Sequence, residues 1–219
     1  MSDLLQIEQG ETVTRFTLNR ADKHNALSTE MMTQFAQGIE DLSTPIAVIA
    51  ANGTKTFCAG ADLGERGLGE DVAARQTEAL LRLVMAMARC PSLIIALPFG
   101  RVMGGGGLLT ILADIVLARD DTKLNFPEIQ FKMFPSAIHA ALLERVSPAM
   151  AWQLCASGVT LNANESFAQG LATQIIPAAT FAQDSDRLIE WYSERAEILG
   201  KAKSDYGVIH AERIAARLA

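Results

Sequence analysis

The chain is poor in the residues that announce a covalent or metal framework. Its three cysteines, Cys58, Cys90 and Cys155, are odd in number and far apart. That excludes a disulfide scaffold and points to free thiols in a reducing compartment, so a cytoplasmic location is expected. The three histidines, His24, His139 and His210, form no ligand pair, and no metal site is expected. Positive charge is not in excess: the formal net charge is −6, which argues against nucleic acid as a partner. No uninterrupted apolar run reaches the length of a membrane span. The start, M-S-D-L-L-Q-I-E, lacks the basic region and apolar core of a secretion signal. Internal repeats and low-complexity segments are missing too.

What remains is 219 residues, 49% hydrophobic and 20% charged, the profile of one globular domain with a sizeable core. Its most informative stretch runs from Val102 to Pro135. Four glycines, Gly104 to Gly107, stand between an apolar run (Leu93–Leu97) and a second one containing Leu108, Leu109, Ile111, Leu112 and Ile115. The pattern predicts strand, glycine turn and helix, with unpaired N–H groups at a positively polarised helix start. A dinucleotide fingerprint fails because its third glycine slot is Leu109, and a phosphate loop fails because no Lys-Ser/Thr follows. Glu128 then sits in an otherwise apolar segment, where its pKa would rise into a range useful for acid–base work. A solvated strand end, or a partner for a distant arginine, would equally account for it. An anion-holding turn with one buried carboxylate is equipment for moving a proton next to a carbonyl.

The rest reads as alternating strands and helices. Leu4–Glu8 and Val13–Leu18 predict a hairpin, and the residues from Asn19 to Asn25 a polar loop. Ser28 or Thr29 caps a helix carrying Met31, Met32, Phe35, Ile39 and Leu42. Ile46–Ala50 reads as a strand and Asn52-Gly53 as a turn. In Thr56–Glu65, Gly60 permits a tight bend, and Asp62 with Glu65 forms a helix-start signal that sets the Ala61 amide at a second helix entrance. The glycines at 64, 67 and 69 suggest a loose pocket wall. A helix follows from about Asp71 to Ala88, then a strand at Ser92–Leu97. Beyond Pro135 come helices, with Ser147-Pro148 as cap and first position. Thr160–Ala163 is extended, Asn162 or Asn164 caps the turn to Gln169, Leu171–Ile176 is extended, and the chain from Ala178 is helical.

Four stretches together resemble the crotonase (enoyl-CoA hydratase/isomerase) superfamily: L-N-R-A-D-K-H-N-A-L-S (18–28), F-C-A-G-A-D-L (57–63), G-G-G-G-L-L-T-I-L-A-D-I (104–115) with F-P-E (126–128), and A-N-E-S-F-A-Q-G-L-A-T-Q-I-I-P (163–177). The resemblance implies an α/β fold: a crotonase-like ββα spiral core, 1–150, with a C-terminal helical region, 151–219, in the same structural domain and used for assembly into a trimer or a dimer of trimers. It implies a coenzyme A thioester as substrate, with no other cofactor. It implies an oxyanion hole made by the backbone amides of Ala61 and Gly105, and Glu128 as catalytic acid/base. Lys23, Ala26, Ala59, Asp62 and Leu63 match the loops that line the coenzyme A site, and Leu108 and Phe131 are expected pocket walls.

The departures select among the family's reactions. Hydratases of this kind place two glutamates at the substrate double bond. The second matches Glu128, but the slot of the first holds Leu108, which cannot activate water. Eight positions after Glu128, where hydrolase and dienoyl isomerase members carry an aspartate, stands Ser136. One glutamate facing an apolar residue is similar to the 3-enoyl-CoA to 2-enoyl-CoA isomerases, so an isomerase acting by single-glutamate proton transfer is expected. The rival expectations are a hydratase or another crotonase lyase (decarboxylase or dehydratase), and an acyl-CoA-binding subunit without turnover. The chain is also shorter than usual members around Leu42–Pro45 and at its C-terminus.

Overall fold

The computed structural model describes residues 4–206 and 209–219. The N-terminal residues 1–3, the pair 207–208 and the side chains of Ser204, Tyr206, Ile209 and His210 lie outside that description.

Strands β1 (Leu5–Gln9) and β2 (Val13–Leu18) form the expected antiparallel hairpin, with Leu5 opposite Leu18. Helix α1 (Thr29–Glu40) follows, capped by Ser28, whose hydroxyl accepts from the Met31 N–H. It buries Met31, Met32, Phe35, Ala36 and Ile39. Leu42, expected on the same helical face, lies just beyond the helix and packs on the core from the loop. After α1 the chain alternates between two sheets. β3 (Ile46–Ala51), β5 (Leu93–Ala96), β7 (Ile115–Arg119) and β10 (Gln174–Ile176) extend the first sheet in the order β1-β2-β3-β5-β7-β10. β4 (Thr56–Cys58), β6 (Arg101–Met103), β8 (Lys123–Asn125) and β9 (Leu161–Asn162) form the second. One strand to each sheet and then a helix is the ββα repeat. The first such helices are α2 (Leu63–Arg66) with α3 (Glu70–Arg89), and the next is α4 (Gly105–Ile111).

The first sheet is covered on both faces, as parallel strands require. Alternate residues feed two cores. Ala47, Ile49, Ile94, Ala96, Val116 and Ala118 face the main core with α1 and α3. Ile46, Val48, Leu93, Ile95, Leu117 and Ile176 face α8 (Phe181–Ser193) and α9 (Ala196–Tyr206) through Ile189 and Ala196. The remaining helices are α5 (Ser136–Leu142), α6 (Pro148–Ser157), α7 (Ala163–Ala168) and α10 (Ile209–Leu218). Ser147 and Asn162 supply the caps of α6 and α7. Asn162 forms a full capping box with Glu165, so Asn164 is not the cap.

Three expectations need correcting. The glycines are preceded by the short strand β6, not directly by the Leu93–Leu97 run. Ile115 belongs to a strand, not to the glycine-led helix. The Asp114 carboxylate marks the change, because it leaves the helix to accept from the Ile94 N–H (2.8 Å) and from Lys203 (2.5 Å). The β-branched pair Ile115-Val116 then suits the sheet. Only Gln174–Ile176 of the expected extension at Leu171–Ile176 pairs as a strand.

Candidate active site

The site begins at two backbone turns held side by side. Gly60 takes φ 91° after β4, and Gly104 takes φ 50° after β6. Both values lie in the left-handed region that favours glycine. Leu27 bridges the first turn as in a parallel ladder: its N–H donates to Gly60 O (2.8 Å) and its carbonyl accepts from the Asp62 N–H (2.9 Å). In such a ladder the intervening residue points its own N–H the other way, and that residue is Ala61. Gly105 is the first residue of α4, so its N–H has no partner four residues back within the helix. Among the described residues neither amide meets a protein acceptor. They are neighbours: a Cβ on Gly105 would stand 3.5 Å from the Ala61 nitrogen, and one on Gly60 would stand 3.3 Å from the Gly105 nitrogen.

The other glycines are bare for reasons of close packing. A Cβ on Gly106 would meet the Cys58 carbonyl at 2.6 Å, and one on Gly107 the Phe126 ring at 2.5 Å. A Cβ on Gly104 would run into the Glu128 carboxylate itself. Glu128 lies in a 3-10 turn over Pro127–Phe131, with Pro127 at the first position. This turn is packed against the end of α6, where a Cβ on Gly158 would touch the Phe126 carbonyl and Pro127. The acid is half-buried, and its Oε2 is screened from solvent without a hydrogen-bond partner. Burial raises its pKa above the ordinary glutamate value, because a carboxylate loses its hydration there. Nearby Cys155 is pushed up to about 12, by burial first and by the charge of Glu128 second. Burial likewise pushes Cys58 up to about 12. Both thiols are therefore protonated near neutrality and do not compete with Glu128 as bases.

These groups open onto one cavity of about 270 Å³. Of the expected site residues, Ala59, Ala61, Leu63, Gly105, Glu128 and Phe131 line it. Leu108 does not. It is 1% exposed within the main core, because every residue of α4 from Gly105 to Ile111 is buried. The apolar walls are instead Leu80, Leu81, Phe134 and Ile138, with Leu218 arriving from α10. Lys23, Ala26 and Asp62 also stand outside the lining. Lys23 is exposed on a 3-10 turn, Ala21–Lys23. The Ala26 carbonyl accepts from Arg20 (3.1 Å). Asp62 has a structural task. It caps α2 through the Gly64 and Glu65 amides and receives Arg20 Nη1 at 2.7 Å. Burial alone would raise its carboxyl, but the Arg20 hydrogen bond, the two amides and the Arg20 charge bring it below the ordinary value. Glu65 does not reach back to Asp62 as in a capping box. It accepts from the N–H and hydroxyl of Thr29 (2.7 and 2.9 Å), tying α2 to α1.

Reading the sequence missed Gly104 as the seat of the carboxylate, and Arg66, Met133 and Ser136 as lining residues. Only Gly104 carried a signal, its place in the glycine run. Glu128 is the one acidic residue lining the cavity among the described residues, and Arg66 the one basic residue. No group of three or more His, Cys, Asp or Glu among the described residues is placed to hold a metal ion. No helix among them is long and apolar enough to cross a membrane.

With that geometry in view, likeness to known proteins becomes informative. The sequence matches the enoyl-CoA hydratase/isomerase family over residues 8–207. It is 29% identical to a 2,3-dehydroadipyl-CoA hydratase of Escherichia coli, over 81% of this chain and 71% of that protein. It is also 29% identical to the peroxisomal enoyl-CoA delta isomerase 3 of Mus musculus, over 83% of this chain; the match spans 60% of that longer protein. A crystal structure of an enoyl-CoA hydratase from Mycobacterium avium superposes with a TM-score of 0.86, covering 98% of this chain and 85% of the other at 24% identity, which speaks to the fold.

Proposed function

Because this chain belongs to the enoyl-CoA hydratase/isomerase (crotonase) family, we propose that it is an enoyl-CoA isomerase working through a single carboxylate. The observation that carries the reading is the pairing, in one cavity, of a half-buried Glu128 with an unmet Oε2 and two adjacent unpartnered amides, with no second acid among the described lining residues. In a 3-enoyl thioester, ionised Glu128 removes a proton from C2. The C–H electron pair moves into the thioester, whose oxygen becomes negative as a dienolate. The Ala61 and Gly105 N–H groups donate to that oxygen, each worth about 2.7–4 kcal/mol in a water-poor site. Protonated Glu128 then returns the proton to C4, the double bond shifts to C2–C3, and the carboxylate is regenerated. The thioester carbonyl is the electron sink, so the step calls on no further cofactor.

Support for isomerisation over hydration comes from the single acid: the hydratases this chain resembles use two glutamates, one to activate water and the other to help position it and exchange protons, and only Glu128 lines this cavity among the described residues. Lys23, Ala26 and the outer face of the Asp62 turn are assigned to the coenzyme A portion, beyond the acyl cavity. The decisive experiment offers purified protein a 3-enoyl-CoA and the corresponding 2-enoyl-CoA. Isomerisation of the first should exceed hydration of the second by at least tenfold in kcat/KM. Faster hydration would overturn the isomerase reading while leaving the family intact, and binding without turnover of either would favour the non-catalytic subunit.

Assembly into trimers, or pairs of trimers, belongs to the same proposal. It is supported by a group of exposed aromatic residues near the cavity, Phe131, Phe134 and Trp152, with the last two rings edge to face at 5.1 Å. Exposed apolar clusters of this kind mark surfaces that a partner covers.

A further inference from the structure

The catalytic proposal gives no task to Arg66. This residue closes α2 and lines the same cavity as Glu128. It is half-buried, and among the described residues no ion pair or side-chain hydrogen bond holds its guanidinium. Glu128 shares the cavity but makes no ion pair with it, and the acids of its own and the adjoining helix are engaged or turned outward. Asp62 is taken by Arg20, Glu65 by Thr29, and Glu70 and Asp71 are exposed at the start of α3. The lining contributed by α2 and α3 is otherwise Leu63, Thr77, Leu80 and Leu81, which suits a hydrocarbon chain and offers a cation no charged partner. A guanidinium in such surroundings is satisfied by an anion brought in with the ligand, and its planar fork matches a carboxylate. Arg66 lies four residues beyond the Asp62 cap, at the end of the short helix that follows the Ala61 turn, and lines the acyl cavity itself rather than the loops around Lys23 and Ala26.

We propose that Arg66 recognises a carboxylate at the far end of the acyl chain, so that the substrates are ω-carboxyacyl (dicarboxylate-derived) enoyl-CoA thioesters. The inference rests on the enoyl-CoA reading above and narrows it to a substrate class. The same guanidinium chemistry would fit a phosphate of the coenzyme, and the structural alternative is a bond to the buried, unpartnered Oε1 of Gln76 on the adjoining α3.

The test is calorimetric binding of two saturated thioesters of equal length, hexanoyl-CoA and 5-carboxypentanoyl-CoA, with the corresponding pantetheine thioesters as phosphate-poor controls. The wild type should bind the carboxylate-ended ligand at least tenfold more tightly. Arg66→Leu should erase that preference, Arg66→Lys should keep part of it, and the preference should persist in the pantetheine series. Hexanoyl-CoA bound as tightly as its carboxylated partner would overturn the inference but not the enoyl-CoA reading. So would an equal loss for both ligands in Arg66→Leu, or a loss that vanishes with pantetheine, which would assign Arg66 to the fold or to the coenzyme phosphates. Binding of neither thioester to the wild type would bring down both.

Discussion

At Glu128 the proposed chemistry runs against stability. Burial raises its folded-state pKa above the unfolded one. Folding therefore favours the protonated form, and the penalty is absent below the unfolded pKa and grows as pH rises through the folded value. Glu128→Gln should accordingly raise the melting temperature more at pH 8 than at pH 4, measured by calorimetry, even as it removes activity. An equal shift at both pH values would mean that the acid is not strained by its surroundings. The same sign governs turnover of the wild type: kcat/KM should fall on acidification through a pKa above the ordinary glutamate range, because the base must be ionised. Gly104 is the second residue on which the site turns. Gly104→Ala places a methyl group at a positive φ and against the carboxylate. Its kcat should drop by about 10²-fold, as expected when a reacting group is displaced by roughly an ångström.

At the scale of elements, the two turns are held by contacts from elsewhere in the chain. The Arg20–Asp62 pair, both side chains 19% exposed, fastens the loop after β2 to the cap of α2. Asp62→Ala loses the cap and leaves Arg20 without its carboxylate, at a cost of about 1–3 kcal/mol by urea denaturation. The Asp62 carboxyl is held below its ordinary value. Its contribution is therefore present above the unfolded pKa and disappears as pH falls through the folded one. The difference between variant and wild type should shrink in acid; a constant difference would deny the ion pair its role. Gly106→Ala forces α4 away from Cys58, and should cost about 1–3 kcal/mol.

Local signals are legible at this scale and long-range ones are not. Ser147 as a cap, one of Ser28 or Thr29, one of Asn162 or Asn164, and the α3 boundaries to within a residue follow from capping and periodicity, which depend on neighbours in sequence; the structure selects Ser28 and Asn162. The three-residue strands β6 and β8 are too short to show alternation. Ile115 falls on the helical period of the residues before it, and only the contact from Asp114 to Ile94 shows where that helix has ended. Asn25 looks like a polar loop residue, yet it is fully buried at a positive φ, with its side chain bound to the Arg20 N–H and the Asn52 carbonyl. Around the cavity, the family resemblance names Ala61, Gly105 and Glu128, and the structure brings all three to the lining. The resemblance fails for Leu108, because a matched position along α4 does not show that its side chain is buried in the main core rather than turned to the cavity.

For the whole molecule, the C-terminal third does more than cover the core. β9 and β10 complete the two sheets, Lys203 on α9 reaches the Asp114 carboxylate, and Leu218 on α10 closes one wall of the cavity. Arg217 and Arg213 of α10 pair with Glu144, which lies just past α5. The exposed aromatic group near the cavity leads to an assembly prediction. Light scattering should give the mass of three chains of 23.6 kDa, or of six, and Trp152→Glu should lower it. A single-chain mass for the wild type would contradict it.

The central claim, that one carboxylate moves the proton, is tested most directly by the turnover of a 3-enoyl-CoA by wild type and Glu128→Gln at the same pH, with folding of the variant checked by its melting temperature. The account predicts that kcat falls by about 10²–10⁴-fold in the folded variant. A folded Glu128→Gln protein that isomerises the thioester at the wild-type rate would contradict it.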